Sequence, residues 1–387
     1  MNKPFFFIFQ PIRTPSFLKL FLFILVLLVC IVFIFIRPDN LDQSDFMLIA
    51  WYPGQQLLHT GFVDANYPYP LWTVIVMLPL VVWAPKTAMM LMFVCNMLML
   101  SASLTLFVLI FKWELSPVLL VLGVSLSVFF LPVLSSLWLG QLTIFSLLIL
   151  ALTLFFYFKE KWGLLGAVLG LSFIKPQVML LLVGLLLLWA FLKKKWEVLV
   201  GFSIVVTILI LISLPLVSTP MQLIGGGISS HLGSYILMTS TIWGATMSLG
   251  MSWLIPLLIS ITLLLWLGWI WLPFLVGNKD RPHEFFLFSI AVIVNLVVIP
   301  YSWMHNLTLL LLPVGYSLLL ISQKSNLVRV IGLILVFLVM YPLMYLLFIL
   351  IGIPQVTQAY QIIPALFLLL GMMLLENKNI QTENFYV

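Results

Sequence analysis

The stretch GLLGAVLGLSFIKPQVMLLLVGLLLLWAFLKKKW, residues 163–196, decides the fold of this chain. It contains two apolar runs, which Lys175 and Pro176 separate, and three consecutive lysines close the second run. An apolar run that ends in a basic cluster is typical of a membrane-spanning helix whose basic end faces the cytoplasm. The stretch therefore predicts two membrane segments with a break between them.

The rest of the chain repeats this pattern. Of its 387 residues, 64% are hydrophobic and 7% are charged. Apolar runs of about 18 residues or more recur, and both faces of nearly every run are apolar, unlike the alternating strands of a β-barrel. The first run, 17–36, has no small-residue cleavage site at its end and is expected to remain as a span. We expect an all-α polytopic membrane protein with about eleven to thirteen membrane segments.

Lysine and arginine in short loops orient the chain in the membrane. The cytoplasmic side receives the N-terminus, the tail from 376 and the basic loops 158–163, 193–197, 278–284 and 323–329. The external side receives the acidic loop 37–70, residues 175–177, the stretch 218–250 and residues 301–306. The net charge of +6 is scattered over these loops rather than gathered on one face, so no nucleic-acid partner is expected.

Between residues 71 and 141 there are three apolar segments, although the chain starts and ends this region on the external side. Three full crossings would leave Gln141 on the cytoplasmic side, so one segment cannot cross the membrane. The three segments lie near 71–84, 88–111 and 117–134. We expect 117–134 to be re-entrant or broken, because Pro117 and Pro132 interrupt it and irregular backbone at membrane depth occurs where it lines a cavity. The chain then divides into a cytoplasmic N-terminus with a first span (1–36), an external acidic loop (37–70), a membrane core (71–320) and C-terminal spans with a tail (321–387).

The external acidic loop is unusual in a chain with so few charges. It holds four aspartates: Asp39, Asp42, Asp45 and Asp64. From Asp45 to Gly61 the apolar residues Phe46, Ile49, Ala50, Leu57 and Leu58 predict an amphipathic helix on the membrane surface, broken at Pro53-Gly54. A carboxylate held there is ionised near neutral pH and can take a proton from a sugar hydroxyl. The alternative is a solvated loop acid or a helix cap.

Three further polar residues lie on the same external boundary as Asp45. Lys175 is a lysine on the external side, which runs counter to the positive-inside bias. Its ammonium suits a phosphate; the alternative is a snorkelling side chain without a functional role. Gln141 follows Gly140 at a helix start, where an amide and a helix N-terminus suit an anion or a sugar hydroxyl, or where a polar residue merely begins the helix. His305 follows Trp303 in an aromatic loop, with a structural role as its alternative.

Two other features of the sequence give little information on function. The glycines 225–227 with His231 lack the lysine and serine of a phosphate loop and predict a flexible external loop. Cys30 and Cys95 fall inside predicted spans, so neither a disulfide framework nor a metal site is implied.

Five pieces of the sequence, taken in order, resemble glycosyltransferase family 87, whose members are membrane enzymes with the GT-C fold. They are DF at 45–46 with a helix to Gly61, YPYPLWTVIVMLPL at 67–80, LGQLTIFSLLILAL at 139–152, the stretch 163–196 and IPYSWMHNLTLLLLP at 299–313. The resemblance covers about residues 37–320. It implies an inverting hexosyltransferase that moves a sugar, mannose being favoured, from a polyprenyl-phosphate donor to a lipid or glycan acceptor. The active site would lie on the external or periplasmic face of a plasma or inner membrane.

The resemblance also implies roles for residues. Asp45 matches the general base, with Asp42 and Asp39 as rivals, and Lys175 and His305 face the lipid-linked phosphate. The remaining predicted substrate-binding residues are Gln141, Trp303, Gln177, Tyr69 and Asp42. No cofactor and no divalent metal is expected, because the loop acids lack a recognisable ligand pattern.

Two other functions stay open at this point. A transporter or flippase of lipid-linked sugars would need charged residues inside several spans, and this sequence has almost none there. A scaffold subunit without catalysis would leave Asp45 replaceable.

Overall fold

Apolar helices form the regular structure of the protein, because a backbone in a bilayer must satisfy its own hydrogen bonds. The computed structural model describes residues 44–64, 66–112, 117–217, 235–277, 283–350 and 359–376, and within them there is no strand. The helices in chain order are α1 Tyr52–Thr60, α2 Leu71–Val81, α3 Pro85–Ile110, α4 Pro117–Phe129, α5 Leu131–Leu139, α6 Thr143–Phe158, α7 Trp162–Leu171, α8 Leu180–Leu192, α9 Trp196–Ser213, α10 Ile242–Met247, α11 Leu254–Val276, α12 Glu284–Val298, α13 Leu311–Ser322, α14 Asn326–Leu338, α15 Met344–Leu350 and α16 Ile363–Leu375.

The expected all-α polytopic class is confirmed. Within the described residues, five helical segments are long and apolar enough to cross a membrane: Pro85–Ile110, Trp196–Leu216, Leu254–Val276, Met304–Ser322 and Asn326–Leu347. Six shorter apolar helices of 10–17 residues accompany them. The expected first span (17–36), Cys30, Asp39, Asp42, the glycines 225–227 and His231 lie outside the described residues. The four-part division of the chain stays a prediction.

The helix of the external loop, residues 45–60, runs without interruption and is called the first-loop helix below. The predicted break at Pro53-Gly54 is wrong, because a π-helical turn, Met47–Trp51, leads directly into α1. Pro53 has no N–H for the Ile49 carbonyl four residues before it, and the Tyr67 hydroxyl donates to that carbonyl instead (2.7 Å), so the helix continues past the proline. The helix ends at Gly61, whose φ of 76° is left-handed.

The first-loop helix packs on protein along much of its length. Phe46 and Ala50 are buried against a cluster that includes Trp72 of α2 and Met89 of α3. Two side chains fasten the helix to the end of α2, where Gln55 Nε2 donates to the Val81 carbonyl (2.7 Å) and Trp51 Nε1 to the Trp83 carbonyl (3.1 Å). Leu58 is half exposed, and the contact of this helix with the membrane surface stays a prediction.

The segment 117–134 is broken, as predicted. Helix α4 ends at Phe129 and α5 begins at Leu131, with Pro132 in its first turn and Phe130 extended between them. Helix α2 has eleven residues and is about 16 Å long, so it is also too short to cross a bilayer core of about 30 Å alone.

Helix α12 forms the centre of the protein, since all fifteen of its residues are buried. At the periphery, α7 and α9 touch backbone to backbone. A Cβ on Gly166 would collide with the Val198 carbonyl of α9, and a Cβ on Gly201 would collide with the Gly163 carbonyl of α7. Small residues that allow such close approach hold helices together in a bilayer. This contact fixes α7, the helix that leads to Lys175, against a full-length span.

Candidate active site

The site is built around a break in the helical backbone at Lys175. Helix α7 passes through a 3-10 turn, Ser172–Ile174, into Lys175, whose φ of −138° and ψ of 72° are not helical. A second 3-10 turn, Pro176–Val178, precedes α8. Pro176 enforces the break, because the residue before a proline is driven out of the helical conformation. We call residues 172–178 the Lys-Pro break.

Side chains of α2 satisfy the carbonyls that the break frees. Trp72 Nε1 donates to the Phe173 carbonyl (2.8 Å), and Thr73 Oγ1 donates to the Ile174 carbonyl (2.9 Å). In a low-dielectric interior an unpaired carbonyl costs free energy comparable to a lost hydrogen bond. The first turn of α2 therefore holds the backbone on one side of Lys175.

Helix α12 holds the backbone on the other side. Asn295 Nδ2 donates to the Gln177 carbonyl (2.9 Å), and its Oδ1 accepts from the Leu181 N–H (3.0 Å). One end of this buried amide bonds to the break and the other to the first turn of α8. Lys175 thus lies on a backbone that is irregular and is fixed from two directions.

Lys175 has an exposed fraction of only 1%. Its Nζ donates to Gln141 Oε1 (2.9 Å) and to Thr143 Oγ1 (2.7 Å). An ammonium has three N–H donors, so one has no protein acceptor among the described residues. Burying an ammonium is costly unless it is paired, and the unused donor marks a place for an anionic or hydroxyl ligand.

Gln141 connects Lys175 to Asp45 of the first-loop helix. Its Nε2 donates to Asp45 Oδ2, while its Oε1 accepts from Lys175. Helix α6 begins at Thr143, two residues after Gln141, and the Gln141 N–H already bonds to the Ser136 carbonyl (2.8 Å). Gln141 is therefore a bridge between the Asp45 carboxylate and the Lys175 ammonium, and both the nitrogen and the oxygen of its amide are hydrogen-bonded.

Gly140 makes the bridge possible. It ends α5 with a φ of 66°, and a Cβ there would lie 2.7 Å from Cβ of Phe46 and 3.0 Å from the Met89 sulfur. Only glycine permits both the left-handed backbone and this close approach of the first-loop helix. Asp45 is thereby held against the 140–143 turn.

The surroundings of Asp45 set its acidity. Burial raises the pKa of Asp45 from its usual 3.8, while the hydrogen bond from Gln141 and the charge of Lys175 partly offset this rise. Only Oδ2 of the carboxylate is occupied by Gln141, and Oδ1 has no partner among the described residues. Asp45 combines a carboxylate oxygen that has no hydrogen-bond partner among the described residues with an elevated basicity.

One cavity brings four of the predicted site residues together. Its lining includes Asp45, Tyr69, Gln141 and Lys175, with apolar side chains around them. His305 is buried beside this group and feels the charge of Lys175, and its Nε2 has no hydrogen-bond partner among the described residues. An unpaired polar atom in a buried side chain calls for a specific explanation, such as a ligand.

Two predicted residues lie further out. Trp303 is half-buried and packs against Tyr235 and Tyr301, with ring centroids 5.8 and 5.9 Å apart. Gln177 contributes its backbone carbonyl to the Lys-Pro break, and its side chain makes no hydrogen bond with the cluster in the described part of the chain. The substrate-binding roles of all these residues stay predictions.

Sequence reasoning missed the second layer of this site. Thr143 Oγ1 donates to Asn306 Oδ1 (3.0 Å), and Asn306 Nδ2 donates to Ser302 Oγ (3.2 Å). Asn96 Nδ2 supports the Gln141 carbonyl (3.2 Å). Polar residues inside apolar helices are costly, and that signal marks Thr143, Asn96 and also Asn295. The described residues hold no group of three or more His, Cys, Asp or Glu side chains placed to bind a metal ion.

Fold and site together define a polytopic all-α membrane protein with a half-buried acid close to a buried lysine at a helix break. Residues 67–300 match the family model described as glycosyltransferase family 87, which is more than half of the chain. The chain belongs to glycosyltransferase family 87, and the resemblance noted in its sequence is confirmed. No curated protein matches the chain, and no solved structure does. The protein is thus a membrane glycosyltransferase with a sugar donor and an acceptor.

Proposed function

We propose that this chain is an inverting hexosyltransferase that moves a sugar, with mannose favoured, from a polyprenyl-phosphate donor to a lipid or glycan acceptor. Asp45 acts as the general base, and Lys175 and His305 receive the donor phosphate. The reaction takes place on the external or periplasmic face of a plasma or inner membrane, without a cofactor or a divalent metal.

The observation that carries this proposal is the Gln141 bridge. One amide contacts Asp45 with its nitrogen and Lys175 with its oxygen, so the carboxylate and the ammonium are one side chain apart. Lys175 keeps one N–H, Asp45 keeps one carboxylate oxygen, and His305 keeps Nε2 without a partner among the described residues. These unused groups match a phosphate on one side and a hydroxyl on the other.

The chemistry follows from the two substrates. The acceptor hydroxyl oxygen attacks the anomeric carbon, and its proton passes to the free oxygen of Asp45. The bond from the anomeric carbon to the phosphate oxygen breaks, and its electron pair stays on the departing polyprenyl phosphate. The phosphate is already a good leaving group when a cation such as Lys175 stabilises its charge, so no general acid is required. Attack opposite the leaving group inverts the anomeric centre.

The placement of Asp45 supports its role. General-base catalysis contributes about 10²- to 10⁴-fold, provided that the base has a pKa suited to the working pH. Burial raises the pKa of Asp45, which strengthens it as a base, while Gln141 and Lys175 favour its ionised form. The two effects together suit an acid that must be charged at rest and must accept a proton in the transition state.

Membranes that contain the native protein, Asp45→Asn or Asp64→Asn test the proposal with polyprenyl-phosphate-linked radiolabelled mannose and a lipid extract from the host as acceptor. Asp64 is an exposed acid in the same loop, so its replacement is the matched control. We expect transfer by native and Asp64→Asn membranes, and a loss of about 10²- to 10⁴-fold in Asp45→Asn.

Full transfer by a well-expressed Asp45→Asn variant would contradict the assigned base, and Asp42→Asn and Asp39→Asn would then be measured in the same way. Absence of transfer by the native protein with mannose and with other polyprenyl-phosphate sugars would contradict the proposed donor.

A further inference from the structure

The hydrogen bonds that lead from Lys175 through Thr143 and Asn306 to Ser302 have a fixed order of donor and acceptor. An ammonium donates and never accepts, so Thr143 Oγ1 must use its lone pairs for Lys175 (2.7 Å). The Thr143 proton is then free to be donated onward to Asn306 Oδ1 (3.0 Å). The remaining end of Asn306, Nδ2, donates to Ser302 Oγ (3.2 Å). The charge on Lys175 thus orients each group in turn as far as the 301–306 segment.

The members of this chain are enclosed. Thr143 is completely buried, and Asn306 and Ser302 are each 1% exposed. In a low-dielectric interior such bonds polarise one another, and a half-satisfied network is costly. Asn306 also follows His305 directly, so the same segment supplies both the end of the chain and the unpaired His305 Nε2.

We propose that Thr143 and Asn306 are positioning residues that hold the Lys175 ammonium toward the donor phosphate and keep it in register with His305. This inference rests on the proposed function and deepens it. Neither residue needs to touch the substrate. Thr143 holds the Lys175 ammonium by accepting a hydrogen bond from one of its N–H groups. Asn306 accepts the Thr143 hydroxyl proton, which leaves the Thr143 lone pairs for Lys175, and it links α6 to the 301–306 segment.

The chain offers a matched control for Thr143. Thr153 lies on the same helix, is 1% exposed, and its hydroxyl has no hydrogen-bond partner among the described residues. Thr143→Val and Thr153→Val therefore make the same change of shape in the same helix, but only the first removes an acceptor from Lys175. Thr143→Ser keeps the hydroxyl and should restore whatever Thr143→Val loses.

The probe is decaprenyl phosphate, a polyprenyl phosphate with the same head group as the leaving group of the proposed reaction. Its affinity for each purified variant in lipid nanodiscs is measured by titration, alongside the thermal midpoint and the donor KM and kcat. A hydrogen bond to a charged group corresponds to a factor of about 10 or more in affinity. We expect Thr143→Val to bind the probe about 10-fold more weakly and to show a raised donor KM. Thr153→Val and Thr143→Ser should stay close to native.

Asn306→Asp tests the second member. Its carboxylate still accepts from Thr143, can keep a bond to Ser302 only if the Ser302 hydroxyl becomes the donor, and adds a negative charge near Lys175, so the affinity for decaprenyl phosphate should fall about 10-fold or more. Gln361→Glu, at an equally buried amide that bonds to the Met344 carbonyl and not to the Lys175 chain, controls for a buried charge and a lost amide bond. A fall with Asn306→Asp that Gln361→Glu does not share supports the inference.

Three outcomes overturn it. Native-like probe affinity in Thr143→Val refutes the role of Thr143, and a loss that Thr153→Val shares or that Thr143→Ser does not rescue shows a packing effect instead. Absence of probe binding and of transfer by the native protein overturns the proposed function itself, and this inference with it.

Discussion

Two polar networks lie at the opposite ends of helix α12, which is about 22 Å long. Before its first turn, Glu376 accepts from the Tyr316 hydroxyl (2.7 Å) and from the His283 N–H (3.4 Å), one bond to each carboxylate oxygen. We call this the closed network. Beyond its last turn lies the open network, which comprises Asp45, Gln141, Lys175, Thr143, Asn306 and Ser302.

The two networks differ in what they leave unused. In the closed network both oxygens of Glu376 have protein partners, and the contacts join the end of α16 to α12 and α13. In the open network Lys175 and Asp45 each keep a group without a partner among the described residues. A satisfied buried network contributes to stability, whereas unfilled donors and acceptors are retained at a cost that a ligand removes. The comparison therefore separates a structural tie from a binding site.

The largest effect that tests this comparison is expected from Lys175→Met. Loss of a charge-stabilising donor should lower transfer by about 10²- to 10³-fold. The thermal midpoint should fall only modestly, because the ammonium no longer has to be desolvated, while Gln141 Oε1 and Thr143 Oγ1 lose their donor and Asp45 loses its opposite charge. Tyr316→Phe should affect stability and not transfer. It leaves one oxygen of Glu376 unpaired, costs about 1 kcal/mol of unfolding free energy and leaves transfer unchanged.

Transfer assays and thermal unfolding of both variants in one detergent measure this contrast. If Lys175→Met unfolds at a far lower temperature than native and loses activity only in proportion to its unfolded fraction, the open network is a structural tie as well, and the distinction fails.

The second-largest effect is expected from Gly140→Ala, because it moves Asp45 away from Gln141 and Lys175 in the open network. Gly140 and Gly61 both have left-handed backbones, with φ of 66° and 76°, so alanine costs about 1–2 kcal/mol at either position. Only at Gly140 would the new Cβ also meet Phe46, at 2.7 Å, whereas nothing lies within 4 Å of a Cβ on Gly61. Displacing Asp45 by a fraction of an ångström or more should lower transfer by up to about 10²-fold.

Gly61→Ala is therefore the reference for Gly140→Ala, measured for both transfer and thermal midpoint. Equal losses of transfer in the two variants would show that backbone strain alone matters and that the approach of Asp45 to the 140–143 turn does not.

The smallest effect is a shift of the pH profile in Gln141→Leu. Asp45 works in its ionised form, so kcat/KM rises as the pH passes upward through the pKa of Asp45. Burial raises that pKa, which puts the acidic limb above the usual 3.8 in the native protein. The bond from Gln141 lowers the pKa, so its removal should move the limb to still higher pH.

Gln55→Leu controls for a lost amide on the first-loop helix, since Gln55 bonds to Val81 and not to Asp45. A limb that stays in place in Gln141→Leu, or that Gln55→Leu moves equally, would mean that Gln141 does not set the charge of Asp45.

The sequence predicted what local chemistry determines. The apolar runs form helices, the helix is interrupted at Lys175 before Pro176, and the 117–134 segment is interrupted beside Pro132. It failed at Pro53-Gly54, because the Tyr67 hydroxyl, distant in sequence, donates to the Ile49 carbonyl that the proline leaves without a donor, and the helix continues.

The site itself was predicted as a set of residues but not as a network. Asp45, Gln141, Lys175 and His305 were placed on one boundary from charge and loop position. Thr143 and Asn306 are 163 residues apart, and their bond depends on which helices become neighbours. Hydropathy carries no information on that pairing. Gln141 was expected to offer its amide to a ligand, and only the three-dimensional arrangement places both of its ends between Asp45 and Lys175.

The glycine contact between α7 and α9 bears on how the chain enters the membrane during synthesis. Helix α7 has ten residues, is about 15 Å long and does not reach across a bilayer alone. Its backbone partner, the segment of α9 from Val198 to Gly201, is made more than twenty residues after α7 ends. Until α9 is made, α7 and the Lys-Pro break lack this backbone contact, so the lateral support of Lys175 is complete only when α9 has joined them.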